Sequence, residues 1–149
     1  MCAKDRRLEA SPVAVVVIAD PDMAFAQMLT RLSRRHGHQA VCVHTGRALL
    51  EQLRQTPVDL CVLDLSLPDL DGLALIPEIR RRRPYVKLLA VYQSVLFDRE
   101  MALLSLRMAR LLGADRVLLK PFTCRTFLTV LQDLLGMRFR SAPRLTPMA

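Results

Sequence analysis

The sequence predicts an α/β fold, a doubly wound parallel sheet with helices on both faces, and three observations carry that prediction. Short β-rich runs alternate with amphipathic helical windows, and the alternation repeats five times in a single direction along the chain. The connections between successive runs are too short for anything but right-handed crossovers. The first run, Val13-Ala14-Val15-Val16-Val17-Ile18, is continuously apolar, as a central strand covered on both faces has to be.

Each element has its own local signals. After the first run, Asp20-Pro21-Asp22 opens a helix, with Asp20 read as the N-cap and Pro21 at the first helical position. Phe25, Met28, Leu29 and Leu32 recur at helical spacing, and Gly37 stops the helix as a C′ residue. A second strand over residues 39–43 leads to Thr45, an N-cap for a helix carrying Leu49, Leu50 and Leu53 that Pro57 ends. The third strand, residues 58–63, terminates in Asp64. A loop follows, in which Pro68 stiffens the turn, Asp69 and Asp71 shape the backbone, and Gly72 supplies conformational freedom at the start of the next helix. That helix runs through Leu73, Ile76 and Ile79, contains an awkward Pro77, and ends in Arg80-Arg81-Arg82-Arg83, where cations complement the helix dipole. Residues 86–91 make a fourth strand, and a long helical window from about residue 97 stops at Gly113. Residues 117–119 form a short fifth strand ending at Lys120-Pro121. Thr123 then caps a last helix with Phe127, Leu128, Leu131, Leu134 and Leu135 before Gly136.

At 149 residues, with 52% hydrophobic and 24% charged residues, the composition is that of one core-rich globular domain. The domain is expected over residues 13–136, between a flexible N-terminal segment, 1–12, and a mobile basic tail, 137–149. No apolar run reaches the ~18–20 residues of a membrane span, and the N-terminus lacks a convincing cleavage site, so a cytoplasmic protein with no membrane partner is expected. Cys2, Cys42, Cys61 and Cys124 show neither CxxC nor mixed Cys/His ligand spacing, and His36, His38 and His44 show no ligand spacing either. The net charge is +8, and of 22 basic residues only Lys4, Lys87 and Lys120 are lysine. The bases are spread over several segments, stacking aromatics are few and no nucleic-acid motif is present, so a solvated basic face is expected and nucleic acid is not. A metabolic enzyme is the least supported class, because no glycine-rich cofactor loop, nucleophile elbow or catalytic histidine arrangement occurs.

In open parallel sheets, functional groups gather outside the carboxyl ends of the strands, near the point where strand order reverses. The residues closing strands one, three and five are Asp20, Asp64 and Lys120, which puts two carboxylates and an amine at one edge. The segment Asp64-Leu65-Ser66-Leu67-Pro68-Asp69-Leu70-Asp71-Gly72, followed by Gly113-Ala114-Asp115 and Lys120-Pro121-Phe122, resembles the receiver domain of two-component response regulators. The resemblance covers residues 13–136. It implies a flavodoxin-like (βα)5 sheet of order 2-1-3-4-5. It also implies phosphoryl transfer to Asp64 from the phosphohistidine of a histidine kinase or phosphotransfer protein. In that pattern Asp64 is both acceptor and Mg2+ ligand, Asp20 adds a carboxylate, the main chain of Ser66 adds a carbonyl, and the Lys120 ammonium pairs with the phosphoryl group. The chemistry needs these types: a carboxylate attacking a phosphoryl group brings two anions together, and cations must offset the charge.

The pattern is broken in three places. The family has two adjacent acids after the first strand, whereas this chain reads Ala19-Asp20-Pro21-Asp22, so Mg2+ is expected to bind weakly. Asp20 matches either acid of the pair, and Asp22 has two readings, a further acid acting through a bridging water or a dipole partner in the first helical turn. Where the family places a small hydroxyl after the fourth strand, this chain has Tyr92, with Ser94 able to substitute only on a rearranged backbone. Where the family places a switch aromatic, it has Val117. Both halves of the relay are altered together, which implies weakened or rerouted switching. The segment from Tyr92 to Lys120 is longer than in the family, extended in the fourth helix or in the loop before it, and carries more apolar residues than one buried stripe requires. Core filling and a docking or homodimer face through the fourth helix and fifth strand are both open readings. Two functions are therefore expected to compete: a stand-alone phosphoaccepting receiver acting on an unknown downstream protein, and a pseudo-receiver that binds its partner independently of phosphorylation.

Overall fold

The computed structural model describes residues 13–93 and 98–141. Five strands, β1 (Val15–Ala19), β2 (Gln39–Val43), β3 (Leu60–Asp64), β4 (Lys87–Gln93) and β5 (Arg116–Lys120), alternate with five helices, α1 (Met23–Arg35), α2 (Gly46–Gln55), α3 (Gly72–Arg82), α4 (Arg99–Leu112) and α5 (Cys124–Ser141). All strand pairings are parallel and the order is β2-β1-β3-β4-β5, as the resemblance implies. The chain has a flavodoxin-like (βα)5 fold.

Strand alternation divides the core in two. Val17, Ala19, Cys61, Leu63, Leu88 and Ala90 point to one face, where Leu49 and Leu53 of α2, Ile76 and Ile79 of α3, and Leu106 and Ala109 of α4 cover them. Val16, Ile18, Leu60, Val62, Leu89 and Val91 point to the other, beneath Ala26 and Leu29 of α1 and Phe127, Leu131 and Leu134 of α5. Central strands buried on both faces need apolar residues at every position, and β3 is buried along its whole length. No helix among the described residues is long and apolar enough to cross a membrane.

Most element ends fall where local chemistry puts them. The second strand matches its expected bounds. Gly37 (φ +89°) and Gly113 (φ +126°) adopt the left-handed conformations that end α1 and α4. Thr45 caps α2 by accepting from the Ala48 amide at 3.1 Å, and Thr123 accepts from Thr126 N at 3.1 Å at the start of α5. Three readings are corrected. The N-cap of α1 is Asp22, which accepts from Phe25 N at 3.1 Å, and not Asp20, whose carboxylate turns into the sheet edge. Gly136 does not stop α5, which continues to Ser141, since a glycine without a left-handed backbone only weakens a helix, by about 1 kcal/mol. Gly72 has no positive φ, so what α3 requires there is a missing side chain and not conformational freedom. Pro77 lies inside α3 on its exposed side. Residues 1–12 and 142–149, expected to be mobile, and the stretch 94–97 with Ser94, lie outside the described residues.

The arginine run does more than face a helix dipole. Arg80 donates Nε to the Gly113 carbonyl at 2.8 Å and Nη2 to Asp115 Oδ2 at 2.6 Å, and it also bonds the Val86 carbonyl. Asp115 Oδ2 accepts the Leu88 amide as well, at 2.8 Å, so one ion pair ties α3, β4 and the α4–β5 turn together. Arg83 holds the Leu53 carbonyl at the end of α2 at 2.7 Å, and Arg81 and Arg82 share Glu78. Replacing Arg80 by Met is expected to cost at least about 1.5 kcal/mol, because the half-buried Asp115 loses its charged donor. Urea unfolding reads this directly, and an unchanged midpoint would show the ion pair to be incidental.

Candidate acidic pocket and its lysine

Asp20 follows β1, Asp64 ends β3 and Lys120 ends β5, and the fold brings all three together where the strand order reverses between β1 and β3. The Lys120 ammonium sits between the two carboxylates, 2.5 Å from Asp20 Oδ2 and 2.7 Å from Asp64 Oδ2. All three side chains are buried, with Asp64 1% and Asp20 2% exposed. Such a cluster is tolerable only when its polar atoms are paired. Asp20 Oδ1 accepts the Asp22 amide at 2.8 Å, and Asp64 Oδ1 accepts both the amide (2.7 Å) and the hydroxyl (2.5 Å) of Ser66. No buried side-chain polar atom among the described residues lacks a partner.

The electrostatics follow from that crowding. Burial pushes the Asp20 carboxyl above its ordinary pKa, and the bonds from Lys120 and the Asp22 amide offset only part of the rise. Burial alone would lower the Lys120 ammonium, but the bonds to Asp20 and Asp64 outweigh it and hold the group above its ordinary value. Lys120 Nζ also lies 4.2 Å from the centre of the Phe25 ring, in a cation–π contact. Phe25 meets Phe122 edge-on at 5.5 Å, and Phe122 stacks on the buried Phe127 at 6.5 Å, so an aromatic row walls the lysine on the α1–α5 side.

Asp20, Asp64 and Lys120 are brought together as their strand-end positions predict. Ser66 is beside them. Asp22 approaches through its backbone amide, while its carboxylate caps α1. Tyr92 and Val117 are partly buried and pack on the α2–α4 side of the core. Three participants escaped the sequence reading. The Phe25 ring looked like a member of the α1 core stripe. His44 Nδ1 lies 2.9 Å from the carbonyl of Asp20. Asp69 reaches across to α2, accepting the Gly46 and Arg47 amides at 2.7 and 3.0 Å, which holds its carboxyl below the usual range. Ser66, two residues after a carboxylate, carried a signal that could have been read, since such spacing favours a local side-chain-to-backbone turn. His36 Nδ1 lies 3.0 Å from the Leu32 carbonyl one helical turn back, whereas His38 Nδ1 accepts the amide of Ala14, distant in sequence, at 3.3 Å.

The donor set has the chemistry of a small hard cation: two buried carboxylates with oxygen capacity left beyond the bonds named above. No group of three or more His, Cys, Asp or Glu side chains suited to a metal exists among the described residues. A Mg2+ that keeps most of its waters needs only one or two protein carboxylates, so the residues fit it, with one acid fewer than the resemblance prescribes.

An acidic pocket with a strand-end lysine at the switch point of a five-stranded parallel sheet defines a receiver-type module. The model of the response regulator receiver domain matches residues 16–132. The transcriptional regulatory protein BaeR of Escherichia coli O6:H1 is 35% identical over 112 residues, covering 74% of this chain and 43% of that protein. The DNA-binding transcriptional regulator NtrC of Azospirillum brasilense is 28% identical over 123 residues, covering 83% of this chain and 24% of that protein. The chain thus spans less than half the length of either relative. Among solved structures, a CheY-like response regulator receiver domain protein from Methanospirillum hungatei superposes with a TM-score of 0.76 at 20% identity, covering 87% of this chain and 99% of that one. A response regulator from Burkholderia pseudomallei, described with a phosphorylated aspartic acid, a calcium ion and citrate, superposes with a TM-score of 0.70 at 22% identity, covering 85% and 71%. The chain belongs to the receiver domain family of two-component response regulators.

Proposed function

We propose that this receiver accepts a phosphoryl group on Asp64 from the phosphohistidine of a histidine kinase or phosphotransfer protein, and passes the signal on through protein contacts. The observation that supports the reading best is the convergence of Lys120 on both carboxylates, one of which ends the central strand β3. An Asp64 oxygen attacks phosphorus, the P–N bond breaks, and the imidazole leaves with the bonding electrons and takes up a proton. Lys120 keeps its proton, because its pKa stands high, and its ammonium exchanges a carboxylate partner for a phosphoryl oxygen. Ser66 fixes the rotamer of Asp64 through Oδ1. Asp20, Asp64 and the main-chain carbonyl of Ser66 would hold Mg2+, which when bound supplies further charge neutralisation at the phosphoryl oxygens. In this reading the protein works in the cytoplasm.

Incubation with acetyl phosphate and Mg2+ is expected to add the mass of one HPO3 unit to the wild type and nothing to Asp64→Asn. A wild type that stays unmodified while a control receiver is labelled overturns the reading.

A second reading, a phosphorylation-independent interaction module of the same family, draws on three observations. The pocket has no third acid among the described residues, Lys120 already neutralises the carboxylates, and Tyr92 and Val117 stand at the switch positions. Equal capture of a partner by wild type and Asp64→Ala favours it, and strict dependence on Asp64 removes it.

A further inference from the structure

Core packing does not account for all that Phe25 does. The ring is half-buried in the first turn of α1 and packs against the apolar cluster beneath α1 and α5, a task that leucine would serve as well. Leucine offers no π face to a cation. Lys120 Nζ stands over the Phe25 ring, 4.2 Å from its centre, where the negative face of the quadrupole attracts an ammonium. The lysine is buried, and desolvation strengthens such a contact.

The ring is held from two directions. Phe122, two residues beyond Lys120, meets it edge-on at an interplanar angle of 74°, and Phe122 is backed in turn by the fully buried Phe127. From the other direction the α1 cap fixes the backbone. The Phe25 amide donates to Asp22 Oδ1 at 3.1 Å, and the Asp22 amide donates to Asp20 Oδ1 at 2.8 Å. Asp20 Oδ2 accepts from Lys120 at 2.5 Å, so carboxylate, cap, ring and ammonium form a closed circuit. Two of the three ammonium N–H bonds go to carboxylates. When a phosphoryl oxygen takes the place of one of them, the contact with the ring is left undisturbed.

We propose that Phe25 is a positioning residue for the phosphoryl transfer, its π face keeping the Lys120 ammonium at the strand ends while that cation changes anionic partners. The proposal rests on the reading of Asp64 as phosphoacceptor. It also gives the Asp22 cap a part in the site, which is to align the ring.

The test uses the full chain with Phe25 replaced by leucine, or by mono-, di- and trifluorophenylalanine. Fluorine withdraws charge from the ring face in steps while the shape of the ring changes little, so the series separates the cation contact from packing even if leucine loosens the fold. Labelling by acetyl phosphate with Mg2+ is expected to slow with each added fluorine and to fall about tenfold in Phe25→Leu. The Hε protons of Lys120, lying over the ring, are expected upfield of their ordinary NMR position in the wild type and near that position in Phe25→Leu. Equal labelling rates along the fluorinated series overturn the inference, and so does a Lys120 signal that Phe25→Leu leaves in place. A wild type that takes no label overturns the phosphoacceptor reading together with this role, whereas a labelled wild type without fluorine dependence removes only the role of the ring.

Discussion

Replacing Lys120 by methionine is expected to cost about 3–5 kcal/mol at neutral pH, the loss that follows when one partner of a buried ionic cluster is removed. Methionine fills the stem's volume against Phe25 and Phe122 but leaves Asp20 and Asp64 facing each other without their shared cation. The loss should depend on pH, with a definite sign. Burial already raises the Asp20 carboxyl above its ordinary value, and without the ammonium the repulsion from the neighbouring Asp64 carboxylate is no longer offset and raises it further. A group whose folded pKa exceeds its unfolded value contributes stability at low pH and loses it as the pH rises through the folded value. The gap in melting temperature between wild type and Lys120→Met is therefore expected to widen from mildly acidic to alkaline buffer. A gap of constant size would mean that the lysine acts through packing alone. Acetyl phosphate labelling should be abolished in the same variant.

Replacing Gly72 by alanine is expected to have the next largest effect, about 3 kcal/mol, at the severe end of overpacking substitutions. A Cβ built there would stand 2.4 Å from Leu65 Cα and 2.6 Å from Leu65 O. Both are backbone atoms, with no flexible side chain able to yield. Leu65 adjoins Asp64 and its amide bonds the Val91 carbonyl at 2.9 Å, so the shift needed to admit a methyl group moves the end of β3. A lower denaturant midpoint together with slower labelling of Asp64 is the expected pair of results. A variant that unfolds earlier yet labels at the wild-type rate would show that strand end and pocket move independently.

The sheet was legible because its signals are local and redundant. Each strand is an apolar run bounded by a turn, and Gly37 and Gly113 end helices by a backbone preference that needs no tertiary contact. The three central site residues were legible for the same reason, since a residue at the end of a parallel strand has its place fixed by topology. What could not be read was competition between neighbours. Asp20 and Asp22 are both plausible caps beside Pro21, and the choice is settled by Lys120, distant in sequence, which draws Asp20 into the pocket. Gly72 reads as a flexible residue until the approach of Leu65 reveals why a side chain is excluded. Phe25 carries no sign of its cation contact, and the apolar surplus of α4 could be divided between core and surface only once burial was known.

Asp69 gives the molecule a mechanical property. Its carboxylate is bolted to the first two amides of α2 while its backbone belongs to the loop leading away from Asp64, and the Leu70 side chain wedges against Gly46 at the same junction. Loop and helix start are thereby fastened to each other, which links the segment beyond Asp64 to the β2 margin of the sheet, on the opposite flank from β5.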